Sequence, residues 1–184
     1  MAGPAGRAGE DAAGGGSGGG RPGAAGRPMS LFLAVKILHV IGAAVLMGTG
    51  AGIAFFMLMA HRAGDPRLIA HTAGVVVVAD TIFTATAVVA QPVTGVALAW
   101  MAGHSLADPW LLASIALYVL TGLFWLPVVW MQWRMRNLAR DAVASGMALA
   151  PEYHRLFRAW FACGFPAFAA VLGIIVLMVA KPGF

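Results

Sequence analysis

The stretch "VKILHVIGAAVLMGTG", Val35–Gly50, decides the fold, because it places Lys36 and His39 inside a run that is otherwise apolar. The apolar run around it extends over about residues 30–60, and a helix that crosses a bilayer needs about 20 apolar residues. Within the hydrocarbon a charged or polar side chain has to face protein partners or reach the membrane surface. The stretch therefore predicts a transmembrane helix with one polar face.

The composition of the whole chain supports a membrane protein. Of its 184 residues, 60% are hydrophobic and 10% are charged, with a mean hydropathy of +0.83. A soluble domain is usually about 45–50% apolar and about 25% charged, and a chain this short exposes too much surface to hide the excess. The formal charge of +5 comes from arginines between the apolar runs, where they orient helices. We therefore expect a lipid bilayer as the partner, and no nucleic acid.

Four apolar runs are long enough to span, at about residues 30–60, 68–102, 109–133 and 159–180. They predict an all-α fold, a four-helix transmembrane bundle that occupies residues 29–184. A short amphipathic segment, residues 151–158, is predicted to lie at the interface before the fourth span. Residues 1–28 are rich in Gly and Ala and predict a disordered tail. Because Met29 follows directly, one hypothesis is that translation starts there and that the tail is an over-extended gene start.

The loops predict the orientation. The first and third loops carry several arginines, whereas the second loop, "GHSLADP", has no Lys or Arg. The positive-inside rule then places the first and third loops in the cytoplasm and both termini outside it.

Two faces of the first span carry different residues. Lys36 and His39 share one face, and Ala44, Gly48 and Gly52 form a seam of small residues on the opposite face. Such a seam favours close contact between helices. The sequence therefore predicts a helix that packs through the seam and turns its polar groups toward other protein.

A matching polar stripe follows the second span at i, i+4, i+7, i+11 and i+14, and consists of Asp80, Thr84, Ala87, Gln91 and Thr94. Counting 1.5 Å per residue from the centre of each run places His39 and Gln91 at the same depth, within hydrogen-bonding reach. Asp80 lies toward the cytoplasmic side, where we expect Arg134 or Arg158 as its partner, or else a protonated carboxyl group.

Each of these residues also has a purely structural interpretation. Lys36 is near enough to the surface to extend its ammonium group into water, and His39 can serve as a hydrogen-bonding staple. The other histidines form no pair at metal-ligand spacing, so no metal site is predicted. Nucleophile, phosphate-binding and dinucleotide motifs are absent from the sequence, which favours a protein that is not an enzyme but leaves a redox enzyme open.

The segments "VKILHVIGAAVLMGTGAGIAFFML", "ADTIFTATAVVAQPVTG", "LFWLPVVWMQWRMR" and "YHRLFRAWFACGFPAFAAVLGIIVLMVAKP" resemble an uncharacterised family of bacterial integral membrane proteins, domain of unknown function 2269. The resemblance covers about residues 29–182 and implies a bacterial inner-membrane protein. More distantly, Lys36-x-x-His39 is similar to the opening of copper-resistance D-like membrane proteins and of HemJ-type protoporphyrinogen oxidases. In the latter the histidine is held to bind haem b, which makes His39, with Lys36 beside it, a cofactor-binding candidate.

Three hypotheses about function follow. The first is a non-enzymatic accessory or structural membrane component, in which the polar stripe only specifies helix packing. The second is a haem- or metal-binding redox protein that uses His39. The third is a small transporter or proton path that uses Asp80 as carrier and Thr84 to Gln91 as route. Four helices are few for a transporter, so the third hypothesis requires a homo-oligomer, for which Gly48 and Gly52 provide a candidate interface.

Overall fold

The computed structural model describes residues 26–182, and all of its regular elements are helical. Four helices follow one another, namely α1 (Gly26–Ala63), α2 (Pro66–Met101), α3 (Pro109–Ser145) and α4 (Pro151–Ala180). Each contains a segment that is long and apolar enough to cross a membrane. The predicted all-α fold with four transmembrane helices is therefore confirmed.

The start of α1 differs from the predicted boundary. The helix begins at Gly26, so residues 26–28 belong to it and not to the predicted disordered tail. Pro28 does not prevent this, because the N–H groups of a first helical turn have no helical partner and proline is tolerated there. Residues 1–25, the rest of the predicted tail, lie outside the described residues.

Helices α3 and α4 are longer than the spans predicted from hydropathy. α3 continues to Ser145 instead of ending near residue 133, and α4 starts at Pro151, so the amphipathic segment that leads into the fourth span forms the first turns of α4. At 1.5 Å per residue the 37 residues of α3 extend about 55 Å, well beyond a hydrocarbon core of about 30 Å. Hydropathy marks where the apolar run ends, whereas Arg, Gln, Met and Ala continue a helix into water.

The helices pack in chain order. α1 lies against α2, the first half of α2 also contacts α3, and α3 and α4 pack along each other, while α1 and α4 share few contacts. α2 is thus the helix that joins the first half of the bundle to the second, and the segment with its polar stripe packs mainly against α1.

The main hydrophobic core lies at the end of the bundle that carries the first and third loops. It brings together Met57 of α1, Ile69 of α2, Met135 of α3, and Tyr153 and Phe157 of α4. Elsewhere large apolar side chains point outward on all four helices, as a lipid-facing surface requires.

Candidate functional site

The structure buries the whole polar stripe of α2. The five side chains that form it are each less than a tenth exposed, namely Asp80, Thr84, Ala87, Gln91 and Thr94. Two parts of the stripe have different surroundings: Gln91 and Thr94 face α1, and Asp80 faces α3.

The first part joins α2 to His39 through two hydrogen bonds. The side-chain amide of Gln91 donates from Nε2 to the main-chain carbonyl of His39 over 2.8 Å. The Nδ1 atom of the His39 ring lies 2.8 Å from the hydroxyl oxygen of Thr94. His39 and Gln91 are therefore in contact, but through the main chain of His39, whereas its imidazole is paired with Thr94.

The Thr94 hydroxyl favours one tautomer of the His39 ring. Its oxygen lies 2.7 Å from the carbonyl of Ala90 in the preceding turn, so its single proton is used in that bond. Thr94 then accepts the hydrogen bond that Nδ1–H of His39 donates. In the neutral ring this leaves Nε2 with a free lone pair, the form in which histidine ligates metals or accepts a proton.

Two glycines allow α1 and α2 to approach closely here. A Cβ atom at Gly42 would overlap Nε2 of Gln91, and one at Gly95 would lie 3.3 Å from Cε1 of His39. A larger residue at Gly42 would thus displace the amide that bonds to His39. These glycines are part of the site, and the sequence analysis missed them because a Gly in an apolar run has no distinctive pattern.

Lys36 does not join this cluster. Its side chain is exposed on α1, one turn before the half-buried His39. A long aliphatic stem lets the ammonium group extend along apolar surface toward the membrane boundary, and this explains the separation of the two side chains. The structure therefore does not bring Lys36 and His39 together as one binding pair.

The second part of the stripe centres on Asp80. Its Oδ1 atom accepts a hydrogen bond of 3.4 Å from the indole Nε1 of Trp125 on α3. The prediction that Arg134 pairs with Asp80 is wrong, because the Nε and Nη2 atoms of Arg134 donate to Glu152 over 2.8 and 3.1 Å. Neither ion pair of the described chain involves Asp80.

The backbone around Asp80 is a π-helical turn. It covers Asp80–Thr84, and the N–H of Ala85 bonds to the carbonyl of Asp80, five residues earlier. The Thr84 hydroxyl is buried and forms no hydrogen bond of normal length within the described chain. The turn lies in the part of the stripe whose polar groups have the fewest hydrogen bonds. Single π-helical turns occur often at functional sites, which makes this part of the stripe a candidate site.

A further interhelical bond arises from Pro92 in α2. Proline has no N–H, so it leaves the carbonyl of Val88, four residues earlier, without its helical partner. The hydroxyl of Tyr118 on α3 donates to this carbonyl. The proline itself is the signal in the sequence that could have predicted a donor from another helix.

At the end of the bundle that carries the first and third loops, two histidines that are far apart in the sequence lie close together. The ring of His61 stacks on Phe157 at 3.7 Å between centroids, and the His154 ring lies 5.7 Å away. Nδ1 of His61 is 3.4 Å from the Tyr153 hydroxyl. No group of three or more His, Cys, Asp or Glu side chains that could hold a metal occurs within residues 26–182.

The predicted seam of small residues does not pack against another described helix, so its role in helix packing or in an oligomer stays a prediction. Ala44 and Gly48 are exposed, and no atom lies within 4 Å of a Cβ built at Gly48, while one at Gly52 meets only Phe56 of the same helix at 3.9 Å. No other described helix packs closely on the seam. The hydrogen bonds to His39 draw α2 toward the Gly42 face of α1, and the seam is left facing outward.

The prediction that His39 binds haem b would make its imidazole one axial ligand of the iron. The bond to Thr94 holds the ring in the tautomer that axial ligation needs. Among the hydrogen bonds and ring contacts of the described residues, however, His39 meets no second histidine. A haem at His39 would therefore be five-coordinate or would take a sixth ligand other than a neighbouring histidine.

The four helices and their buried polar contacts define an integral membrane protein. Residues 33–182 match the family described as predicted integral membrane protein (DUF2269), and the chain belongs to this family. Neither the curated proteins nor the solved structures gave a match to this chain.

Proposed function

We propose that the protein is a non-enzymatic accessory or structural component of the bacterial inner membrane, in which the polar stripe specifies how the helices pack. The observation that carries the proposal is the use of the stripe's polar groups in contacts between helices. Gln91 and Thr94 attach α2 to His39 of α1, and Asp80 meets Trp125 of α3. A stripe of this kind has a sufficient role without any substrate.

The proposed orientation has both termini outside the cytoplasm. The end of the bundle that holds the first and third loops carries arginines such as Arg62, Arg67 and Arg140, and the second loop carries none. This asymmetry supports a cytoplasmic location for the first and third loops.

The test is to reconstitute the purified protein into liposomes that contain a pH-sensitive dye and to apply a potassium diffusion potential. The accessory role predicts proton flux equal to that of empty liposomes. It also predicts that Gln91→Leu lowers the free energy of unfolding, since the hydrogen bond from the Gln91 side chain to the His39 carbonyl is lost. Flux above the empty control, together with an unchanged stability of Gln91→Leu, would contradict the proposal.

A second candidate function, a proton path through Asp80, is favoured by the unsatisfied polar groups on α2. A carboxyl group within a span costs several kcal/mol and is usually paired or functional, yet the hydrogen bond that Asp80 accepts from Trp125 is long, at 3.4 Å, and its other side-chain contact is with the Thr84 hydroxyl. The Thr84 hydroxyl one turn away is also buried without a bond of normal length. Such groups can bind internal water, which would carry protons along the stripe.

The chain offers a matched pair of threonines that tests this path. Thr84 is buried in the stripe, whereas Thr86 is exposed and bonds to the carbonyl of Ile82 in its own helix. Thr84→Val should reduce flux and Thr86→Val should not. Asp80→Asn keeps an oxygen for the Trp125 indole but cannot carry a proton, so it should abolish flux in a folded protein. Flux that survives Asp80→Asn would exclude the path.

A further inference from the structure

An open groove of about 700 Å³ runs between α1 and α2 on the surface of the bundle. Its floor includes Gly48 and Gly52, whose missing side chains create the space. Its walls include Phe56 and Phe83, and His71 lies at the end nearest the first loop. We call this surface the α1–α2 groove.

The groove has the depth of one membrane leaflet. Along α2 it extends from Leu68, in the first turn of the helix, to Phe83, which is about 22 Å at 1.5 Å per residue. Half of a bilayer, counted with its headgroup region, is about 20–22 Å thick. Phe56 and Phe83 are 62% and 53% exposed, so the walls are not filled by other parts of the described chain. A flexible acyl chain suits an apolar groove of this length.

Two arginines lie in the chain next to the residues at the mouth of the groove. Arg67 lies one turn before His71 on α2, and Arg62 lies one turn beyond Met59, which lines the groove on α1. Neither ion pair of the described chain involves these two arginines. The nearby acidic side chain, Asp65, accepts the main-chain N–H of Arg67 over 2.8 Å and so caps α2.

We propose that the α1–α2 groove binds one anionic phospholipid, with an acyl chain along Gly48 and Gly52 and its phosphate between Arg62 and Arg67. Basic pockets at the ends of transmembrane helices recognise anionic headgroups, and guanidinium groups match the oxygens of a phosphate.

The competing occupant is a second copy of the chain that packs through the glycines. A two-fold dimer with parallel orientation would bring the same mouth of both copies together, and the arginines at positions 62 and 67 would repel one another. The charge at the mouth therefore favours lipid over a second copy.

The experiment is native mass spectrometry of the purified protein with equal concentrations of phosphatidylglycerol and phosphatidylcholine that carry identical acyl chains. We expect the protein to retain phosphatidylglycerol at least three-fold over phosphatidylcholine. The double variant Arg62→Gln/Arg67→Gln should lose this preference. The control Arg155→Gln/Arg158→Gln removes the same charge from exposed positions on α4 and should keep it.

A second variant tests the apolar part of the site. In Gly52→Leu the new Cβ would meet only the Phe56 ring, at 3.9 Å, so the helix can accommodate the side chain while it fills the groove. Circular dichroism should show unchanged helix content, and both lipids should bind less. Equal binding of the two lipids to the wild type, or a preference that survives the Arg62/Arg67 change, would overturn the proposal. A dimer that contains no lipid and that dissociates in the Gly52→Leu variant would also overturn the proposal.

Discussion

Replacing Gly42 by alanine should weaken the attachment of α2 to α1, although the change adds only one methyl group. The new Cβ would overlap Nε2 of Gln91 and lie 3.4 Å from its Cδ atom. The amide is at the end of a flexible side chain and can move away at little steric cost. Once it moves, it loses the 2.8 Å hydrogen bond to the carbonyl of His39.

The magnitude follows from that one bond. Interhelical hydrogen bonds in membrane proteins contribute about 0.6 kcal/mol on average and up to about 1.7 kcal/mol. Glycine to alanine also favours the helix by about 1 kcal/mol, so a matched control is needed. Gly50→Ala provides it, because nothing lies within 4 Å of a Cβ at Gly50. We expect Gly42→Ala to be less stable than Gly50→Ala by about 0.6–1.7 kcal/mol.

The assay is unfolding by sodium dodecyl sulfate in mixed micelles, followed by the fluorescence of the six tryptophans. The same two variants are then measured in a Gln91→Ala background, where no amide remains to be displaced and the difference should vanish. Equal unfolding free energies of Gly42→Ala and Gly50→Ala would refute the reasoning. A difference that persists without the Gln91 amide would refute it as well.

Three further predictions concern other contacts. Tyr118→Phe should destabilise the protein by about 0.6 kcal/mol, since the Val88 carbonyl loses its hydrogen-bond donor. The loss should be much smaller in a Pro92→Ala background, where the main-chain N–H of residue 92 can donate to that carbonyl. Equal losses in both backgrounds would contradict this account. If the protein is an accessory component without a cofactor, protein from haem-supplied cells should show no Soret band; a band that His39→Ala removes would instead establish His39 as a haem ligand. Cysteine-accessibility labelling should find the second loop outside the cytoplasm and the third loop inside, and the reverse result would exclude the proposed topology.

The fold could be predicted from the sequence because its strongest determinant is local. Four apolar runs separated by short polar loops specify four helices whatever their neighbours are. The polar stripe of α2 was predictable for the same reason, because one helix face with Asp80 and Gln91 has to lie away from lipid. Burial of both residues agrees with that expectation.

The partners of the stripe could not be predicted, because they depend on how each helix is rotated and offset relative to the next. The depth of the two residues in the membrane was enough to place Gln91 near His39. It could not predict whether the amide of Gln91 would contact the ring or the main chain of His39. The same limit applies to Asp80, for which the nearest donor is the indole of Trp125 and not an arginine. No partner could be predicted for the seam at Gly48, because small residues mark where a helix can approach, not which helix does.

The distribution of contacts gives the polar stripe a physical reason that does not depend on any substrate. At the end that carries the first and third loops, the bundle has a hydrophobic core in which buried side chains such as Met57, Met135 and Tyr153 pack together. At the level of His39 the contact between α1 and α2 consists instead of hydrogen bonds and of closely approaching glycines. Within lipid no hydrophobic driving force holds two helices together, because the acyl chains are as apolar as the side chains. Without the bonds from Gln91 and Thr94, this part of α1 would have little to hold it against α2.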